Sequence, residues 1–531
     1  MAVRSNLVNL DAMILREDFA LADGDVSLYE KVHTISLRDF TQGGLMGPNL
    51  RKPDFQRETN HWMPEQIASL LECYINGDLI PSVILWQSPT NVFVIDGGHR
   101  LSALRAWIQD DYGDGPISQG FFGYGISEEQ IRNAKRTRTL VEQKIGKWAH
   151  FVSRAEDPTT PLAEKKKITA AITRGLQIQW VSGDAEKAEA SFFKINTKGT
   201  PLDPVEELLL KNRHKPIAIS ARAIIRAGKG HKYWSAFSSQ IATRIEELAS
   251  SIHSLLFDPE LKSPIKTLDL PLGGSKGVRA AVQALIDIAL IANRNQQGAP
   301  KKISDTEDDY TGTPTIGCLS KTLGLVQRIT GNSPGSLGLH PAVYFYGPTG
   351  RHSGAMFMGT VALVGQKLSN NDQSFFSDFT AIRPKLEKLL IEKKDLIATV
   401  LQRHLSPRRI SVYSNLLNEL ISRIRGGEEP SDQDIISISG LEGKLIVGAM
   451  GASAKDFSDD VKSKAFLDTA LSNAVTCPIC AGYLDTTKSA TYDHIQEKKL
   501  GGDGSQANCQ MVHPYCNSAI KNKKLNLGSH E

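Results

Sequence analysis

The sequence predicts an α+β multidomain chain, and three observations carry that prediction. Apolar β-branched runs alternate with helix-period segments over residues 50–110. Apolar helical patterns dominate residues 165–300. Cysteines and histidines recur at fixed spacing near the end of the chain. A length of 531 residues allows about two to four domains of roughly 150 residues. The chain is 40% hydrophobic and 23% charged, as in ordinary globular proteins.

Composition also excludes some classes. No run of about 18 apolar residues occurs, so no membrane-spanning helix is expected. The N-terminal stretch has scattered acids and no apolar core segment, so no secretory leader is expected there. Six cysteines, four of them clustered, do not make a disulfide framework. A cytoplasmic protein with reduced thiols is the expectation. The net charge of +4 neither demands nor excludes nucleic acid, because a local patch is sufficient. Basic stretches occur at 131–174 and 211–232; solvated helix faces explain them equally well.

The elements follow in order. In "MPEQIASLLECYING", Pro64 suits a first helical position, and Ile67, Leu70, Leu71 and Tyr74 share one face. "IPSVILW" reads as a strand. "NVFVIDGGHRLSALRAWIQ" reads as a strand, a Gly-Gly turn and a helix with Leu101, Leu104 and Ile108 on its apolar side. Residues 304–315, 346–354 and 426–434 read as loops. The last of these marks the best domain boundary, which divides the chain into 1–215, 216–430 and 431–531.

Near the C-terminus, Cys477-x-x-Cys480 and His513-x-x-Cys516 form two pairs with two-residue gaps. Two such knuckles supply four ligands suited to tetrahedral Zn²⁺ and leave no open position, so the zinc is structural. Cys509 is a rival to His513. Between and after the pairs stand Asp493-His494, Asn508 and Asn517, which the zinc does not need.

This segment resembles the HNH, or ββα-metal, nucleases through "YDHI", the "GG" loop, the two asparagines and Lys521. His513 stands where the commoner pattern has cysteine. The resemblance implies a catalytic set of His494, Asp493, Asn508 and Asn517. Histidine suits a general base. Asp493 and the Asn517 carboxamide offer hard oxygens for Mg²⁺ or Mn²⁺. Asn508 would order the loop that orients His494, and the product would carry a 5′-phosphate.

The N-terminal part offers a second constellation. A Gly-Gly turn before a helix lets backbone amides approach a phosphate, and arginines grip phosphate bidentately. Phe55-Gln56-Arg57, Ile80-Pro81, Asp96-Gly97-Gly98-His99-Arg100 and "FFKINTKGTPLDPVEELL" resemble the ParB-like N-terminal domain of GmrSD-type modification-dependent restriction enzymes. Gly98 stands where that family usually has glutamine. The resemblance implies a nucleoside triphosphate held by Gln56, Arg57, Asp96, Gly97, His99, Arg100 and Asn196. A strand–turn–helix with Asp96 as a helix cap and its arginines on the surface is the competing reading.

The expected architecture is a ParB-like α+β domain, a largely helical middle and a zinc-framed ββα-metal HNH domain. The expected function is a nucleotide-regulated, metal-dependent endonuclease with NTPase activity in the N-terminal domain as an option. Its substrate would be double-stranded DNA, in defence against foreign or modified phage DNA. Homo-oligomers or partner defence proteins, but no membrane, complete the expectations. An HNH ribonuclease and a non-cleaving, nucleotide-dependent DNA clamp are the alternatives.

Overall fold

The computed structural model describes residues 7–17, 30–41, 44, 46–53, 62–88, 91–122, 126–198, 204–229, 232–275, 278–443 and 457–521. The chain is α+β and divides into two compact units. One comprises Ala2–Arg213 with Lys229–Ala236; the other comprises His214–Gly228 and Phe237–Glu531.

The first unit is built on a mixed sheet of six strands: β1 (Arg16–Glu17), β2 (Thr34–Ser36), β3 (Leu50–Pro53), β4 (Val83–Gln87), β5 (Val92–Asp96) and β6 (Gly175–Trp180). Their order is β1-β3-β5-β4-β6-β2. Strand β5 pairs parallel to β3 and antiparallel to β4, with Trp86 opposite Phe93. Val92 to Ile95 are all buried, as expected for a central strand covered on both faces.

Helix α1 (Pro64–Asn76) starts at a proline whose missing N–H is harmless there. It ends at Gly77, whose φ of +85° makes a left-handed cap. That backbone conformation favours glycine, and a Cβ at Gly77 would also lie 2.5 Å from the Arg174 guanidinium. Helix α2 (Gly98–Gln109) follows β5 directly. Ile67, Leu71, Tyr74, Leu101, Leu104 and Trp107 share one core with Val83 and Leu85.

Residues 165–300 are largely helical, as expected, and strand β6 is the interruption that the expectation did not name. Its residues alternate buried and exposed, Leu176 and Ile178 facing inward between Gln177 and Gln179. That period of two is a strand signal within a sequence otherwise rich in helix formers. The basic stretch at 131–174 is largely paired internally. Arg132, Arg136, Arg138, Lys144, Lys147 and Arg154 each lie within salt-bridge distance of a carboxylate.

The second unit is mainly helical and ends in a small hairpin module. Its helices include α3 (Ser239–Phe257), α4 (Val278–Ala292), α5 (Thr313–Ile329), α6 (Gly354–Ser369), α7 (Gln373–Glu392), α8 (Ser406–Arg425) and α9 (Asp459–Ser472). Gly359 lets α6 and α8 approach closely; a Cβ there would meet the Ile410 carbonyl at 2.9 Å. The Gly-Gly turn at 426–427 lies within this unit and leads into Asp432–Ile438. His340 and His352 are satisfied internally, His340 Nδ1 accepting from the Ala342 amide and His352 bonding the Leu272 carbonyl at 2.7 Å. No helix among the described residues is long and apolar enough to cross a membrane.

Candidate active site

The C-terminal module is a two-stranded hairpin, β7 (Thr491–His494) against β8 (Cys509–Val512), followed by a single π turn over Cys516–Ile520. The Thr476–Tyr483 bridge closes the first knuckle, whose Cys477 amide donates to the Gly482 carbonyl at 2.8 Å. Hairpin and knuckles together bring Cys477, Cys480, His513 and Cys516 into one buried cluster whose ligand atoms all lie within 4.8 Å of one another. His513 Nδ1 is 3.4 Å from Cys480 Sγ and 4.0 Å from Cys516 Sγ. Ligands at zinc distances of about 2.0–2.3 Å stand roughly 3.5–3.8 Å apart in a tetrahedron, so the cluster fits that ion. Cys509 is exposed on β8 and is not part of the cluster, which resolves the rivalry in favour of His513.

Electrostatics agree with a cation. Hydrogen bonds among the neighbouring thiols hold the Cys477 thiol down and push those of Cys480 and Cys516 up. Three crowded sulfurs cannot share negative charge without an ion between them; a bound divalent metal ligates all three as thiolates. Burial lowers the His513 pKa, which keeps the imidazole in its neutral, ligating form.

Beside this cluster lies an open groove of about 340 Å³, lined by Asp493, His494, Glu497, Lys498, Lys499, Asn517, Ser518 and Lys521. Three of the four residues expected to be catalytic therefore share one groove. The fourth, Asn508, ties the loop behind His494. Its Oδ1 accepts the Gln496 amide at 2.6 Å, and its Nδ2 donates to the carbonyls of Asp503 at 2.8 Å and Gln496 at 3.1 Å.

Asp493 is buried, and Lys521 Nζ donates to both of its oxygens at 2.9 Å. Gln510 Nε2 donates to Oδ2 at 3.1 Å. An ammonium against both oxygens marks a carboxylate whose setting suits a cation, and with the Asn517 carboxamide it offers hard oxygen donors. Gln510 and the groove lysines were missed as site residues. Gln510 stands directly opposite Asp493 in the β7–β8 register, and Lys521 follows Asn517 by one helical turn; both are readable spacings.

In the other unit, Asp96 ends β5, Gly97 adopts φ +95° as the N-cap and α2 begins at Gly98. Arg100 donates to Asp96 Oδ2 at 2.6 Å and to the Pro81 carbonyl at 3.3 Å. The two charged residues expected to act separately are thus paired with each other, and Gly97 rather than Asp96 caps the helix. The His99 ring stacks on Trp62, centroids 5.4 Å apart and planes inclined by 27°. Gln56 and Arg57 lie outside the described residues, as does the Asn196 side chain, whose backbone belongs to the helix Ala185–Lys198.

The hairpin, the Cys₃His cluster and the Asp-His groove define a zinc-framed ββα nuclease module at the end of a larger α+β chain. Residues 37–215 match the family model of the GmrSD restriction endonuclease N-terminal domain, and residues 477–523 match that of the HNH endonucleases. No curated protein and no solved structure matches. The chain thus carries a domain similar to the GmrSD N-terminal domain and a C-terminal HNH endonuclease domain, which together mark it as a nuclease.

Proposed function

We propose that this endonuclease depends on Mg²⁺ or Mn²⁺, is regulated by a nucleoside triphosphate in its N-terminal domain, and acts against foreign or modified double-stranded DNA. The observation that carries the cleavage mechanism is the convergence of Asp493, His494 and Asn517 on one open, lysine-flanked groove. His494 accepts a proton from the attacking water. The oxygen of that water bonds to phosphorus, the P–O3′ bond breaks, the leaving O3′ takes a proton from solvent, and the products are a 5′-phosphate and a 3′-hydroxyl. Asp493 and Asn517 would hold the divalent ion, which when bound neutralises charge on the phosphate and the leaving oxygen. Lys498 and Lys499 face the groove and hold the phosphate backbone in register. Asn508 fixes the loop that follows the base.

The strand–glycine–helix junction at Asp96–Arg100 supports the nucleotide site, since backbone amides at the start of a 12-residue helix favour phosphate. Control by nucleotide would keep the nuclease silent on host DNA, and a cytoplasmic setting follows from that role. The test is nicking of supercoiled plasmid with Mg²⁺, with and without each triphosphate, alongside an RNA substrate. Metal- and triphosphate-dependent plasmid cleavage is expected. Cleavage of RNA alone would transfer the site to RNA, and binding without cutting would leave a DNA clamp.

A further inference from the structure

The zinc frame is built against the helical part of its own unit, and the contact is a buried ion pair. Arg383 and Glu387, one turn apart on α7, are about 1% and 0% exposed. Arg383 Nε donates to Glu387 Oε1 at 2.7 Å. Its remaining nitrogens donate to the carbonyls of Leu337 at 2.6 Å, Gly338 at 2.9 Å and Tyr483 at 3.4 Å. Glu387 Oε1 also accepts the Tyr344 hydroxyl at 3.0 Å, and Oε2 accepts the Tyr483 amide at 2.7 Å.

Tyr483 belongs to the first zinc knuckle, and its carbonyl accepts His513 Nε2 at 2.9 Å. The chain of contacts thus runs from Glu387 and Arg383, through the peptide groups of Tyr483, to the far nitrogen of a zinc ligand. A donor bond from Nε2 fixes the imidazole tautomer and turns Nδ1 toward the three sulfurs. The knuckle also lies directly on the arginine: a Cβ at Gly482 would stand 2.5 Å from Arg383 Cδ.

We propose that Arg383 and Glu387 are positioning residues for the zinc frame, so that the helical part of the chain, rather than the C-terminal module alone, sets the orientation of His513. The inference rests on the zinc reading of the cluster.

The test uses the full-length protein and the double variant Arg383→Met/Glu387→Leu, which replaces the pair by apolar side chains of similar size. Zinc content, the rate of zinc transfer to a chromophoric chelator, the ligand-field absorption of the Co²⁺-substituted protein and thermal unfolding are measured. Helical content should be retained and melting lowered, because the buried partners of the pair lose their bonds, while zinc binds about 10–100-fold more weakly and the Co²⁺ spectrum changes. Arg383→Lys, which keeps the charge beside Glu387, should recover part of the affinity. Gly482→Ala leaves both residues in place and drives a methyl against Arg383. Should the double variant not fold, this substitution reads the same coupling, with faster zinc release expected. Wild-type zinc affinity and an unchanged Co²⁺ spectrum in a folded double variant, or unchanged release from Gly482→Ala, overturn the proposal. Absence of zinc from the wild type would instead overturn the zinc reading itself.

Discussion

Lys521 holds its ammonium 2.9 Å from both carboxylate oxygens of Asp493. It also bonds the His494 carbonyl, so a single lysine bridges the two adjacent residues proposed for cleavage. A divalent ion at Asp493 must take over at least one of these contacts. Lys521→Met should therefore tighten Mn²⁺ binding by about tenfold or more, since a charge-assisted hydrogen bond contributes roughly 1.5–3 kcal/mol. Titration of the zinc-loaded protein followed by Mn²⁺ electron paramagnetic resonance reads this directly. Equal or weaker binding would show that the lysine does not compete for the carboxylate.

His494→Ala removes the proton acceptor and leaves Asp493, Asn517 and the zinc ligands in place. Plasmid nicking should fall by about 10²–10⁴, with zinc content and melting unchanged. Asn508→Ala removes three hydrogen bonds across the 496–508 loop and should lower the rate less, while making that loop easier to proteolyse. Wild-type cleavage by His494→Ala would falsify the base assignment.

Zinc should copurify at about one ion per chain, as a closed four-ligand site requires. Cys480→Ser removes one of three buried sulfurs, so the ion should be lost and residues 477–521 should lose protection from proteolysis. Hydrogen–deuterium exchange on the variant checks this; undisturbed protection across the hairpin would contradict a structural role for the metal.

Nucleotide binding is expected to depend on Arg100 more than on Asp96. Arg100→Ala removes a guanidinium from the start of α2 and should weaken triphosphate binding by about 1.5–3 kcal/mol. Asp96→Ala frees Arg100 from its 2.6 Å partner, so binding should persist while any hydrolysis falls. Calorimetry with the full-length protein separates the two. Equal affinity in wild type and Arg100→Ala would reduce the pair to a structural bridge.

Acid should destabilise the helical unit. Burial holds the His340 and His352 pKa values down to about 4, whereas the unfolded chain titrates near 6.5. Between about pH 6.5 and 4 the unfolded state binds more protons, so stability is full above 6.5 and is lost as pH falls through that window. Each site contributes on the order of 3 kcal/mol by its lower end. His352→Gln keeps a side-chain N–H for the Leu272 carbonyl and removes the titration. Its urea midpoint should change less between pH 7 and 4.5 than that of the wild type, and an identical slope would remove His352 from the account.

The residues of the candidate nuclease site could be picked out of the sequence because their signals are local. Paired ligands two residues apart are held by short turns, so the Cys477–Cys480 and His513–Cys516 spacing carries its own geometry. Asp493 and His494 are adjacent, and Asn517 directly follows a zinc ligand. In the N-terminal unit, Pro64, Gly77 and the β5–Gly97–α2 junction were readable for the same reason: one residue type suits each backbone conformation. Strand β6 carried its alternating pattern but lay among helix-rich neighbours.

Other relationships are absent from any local pattern. The Arg383–Tyr483 contact joins residues 100 positions apart, and Glu387 accepts the amide of the same residue across 96. By itself the sequence determined which residues could ligate, accept a proton or cap a helix, because those properties belong to side chains and short turns. Only the tertiary structure decided which of them meet, and that a buried ion pair on α7 bonds the knuckle at Tyr483. Such contacts form when distant segments pack and their buried polar groups must find partners away from water.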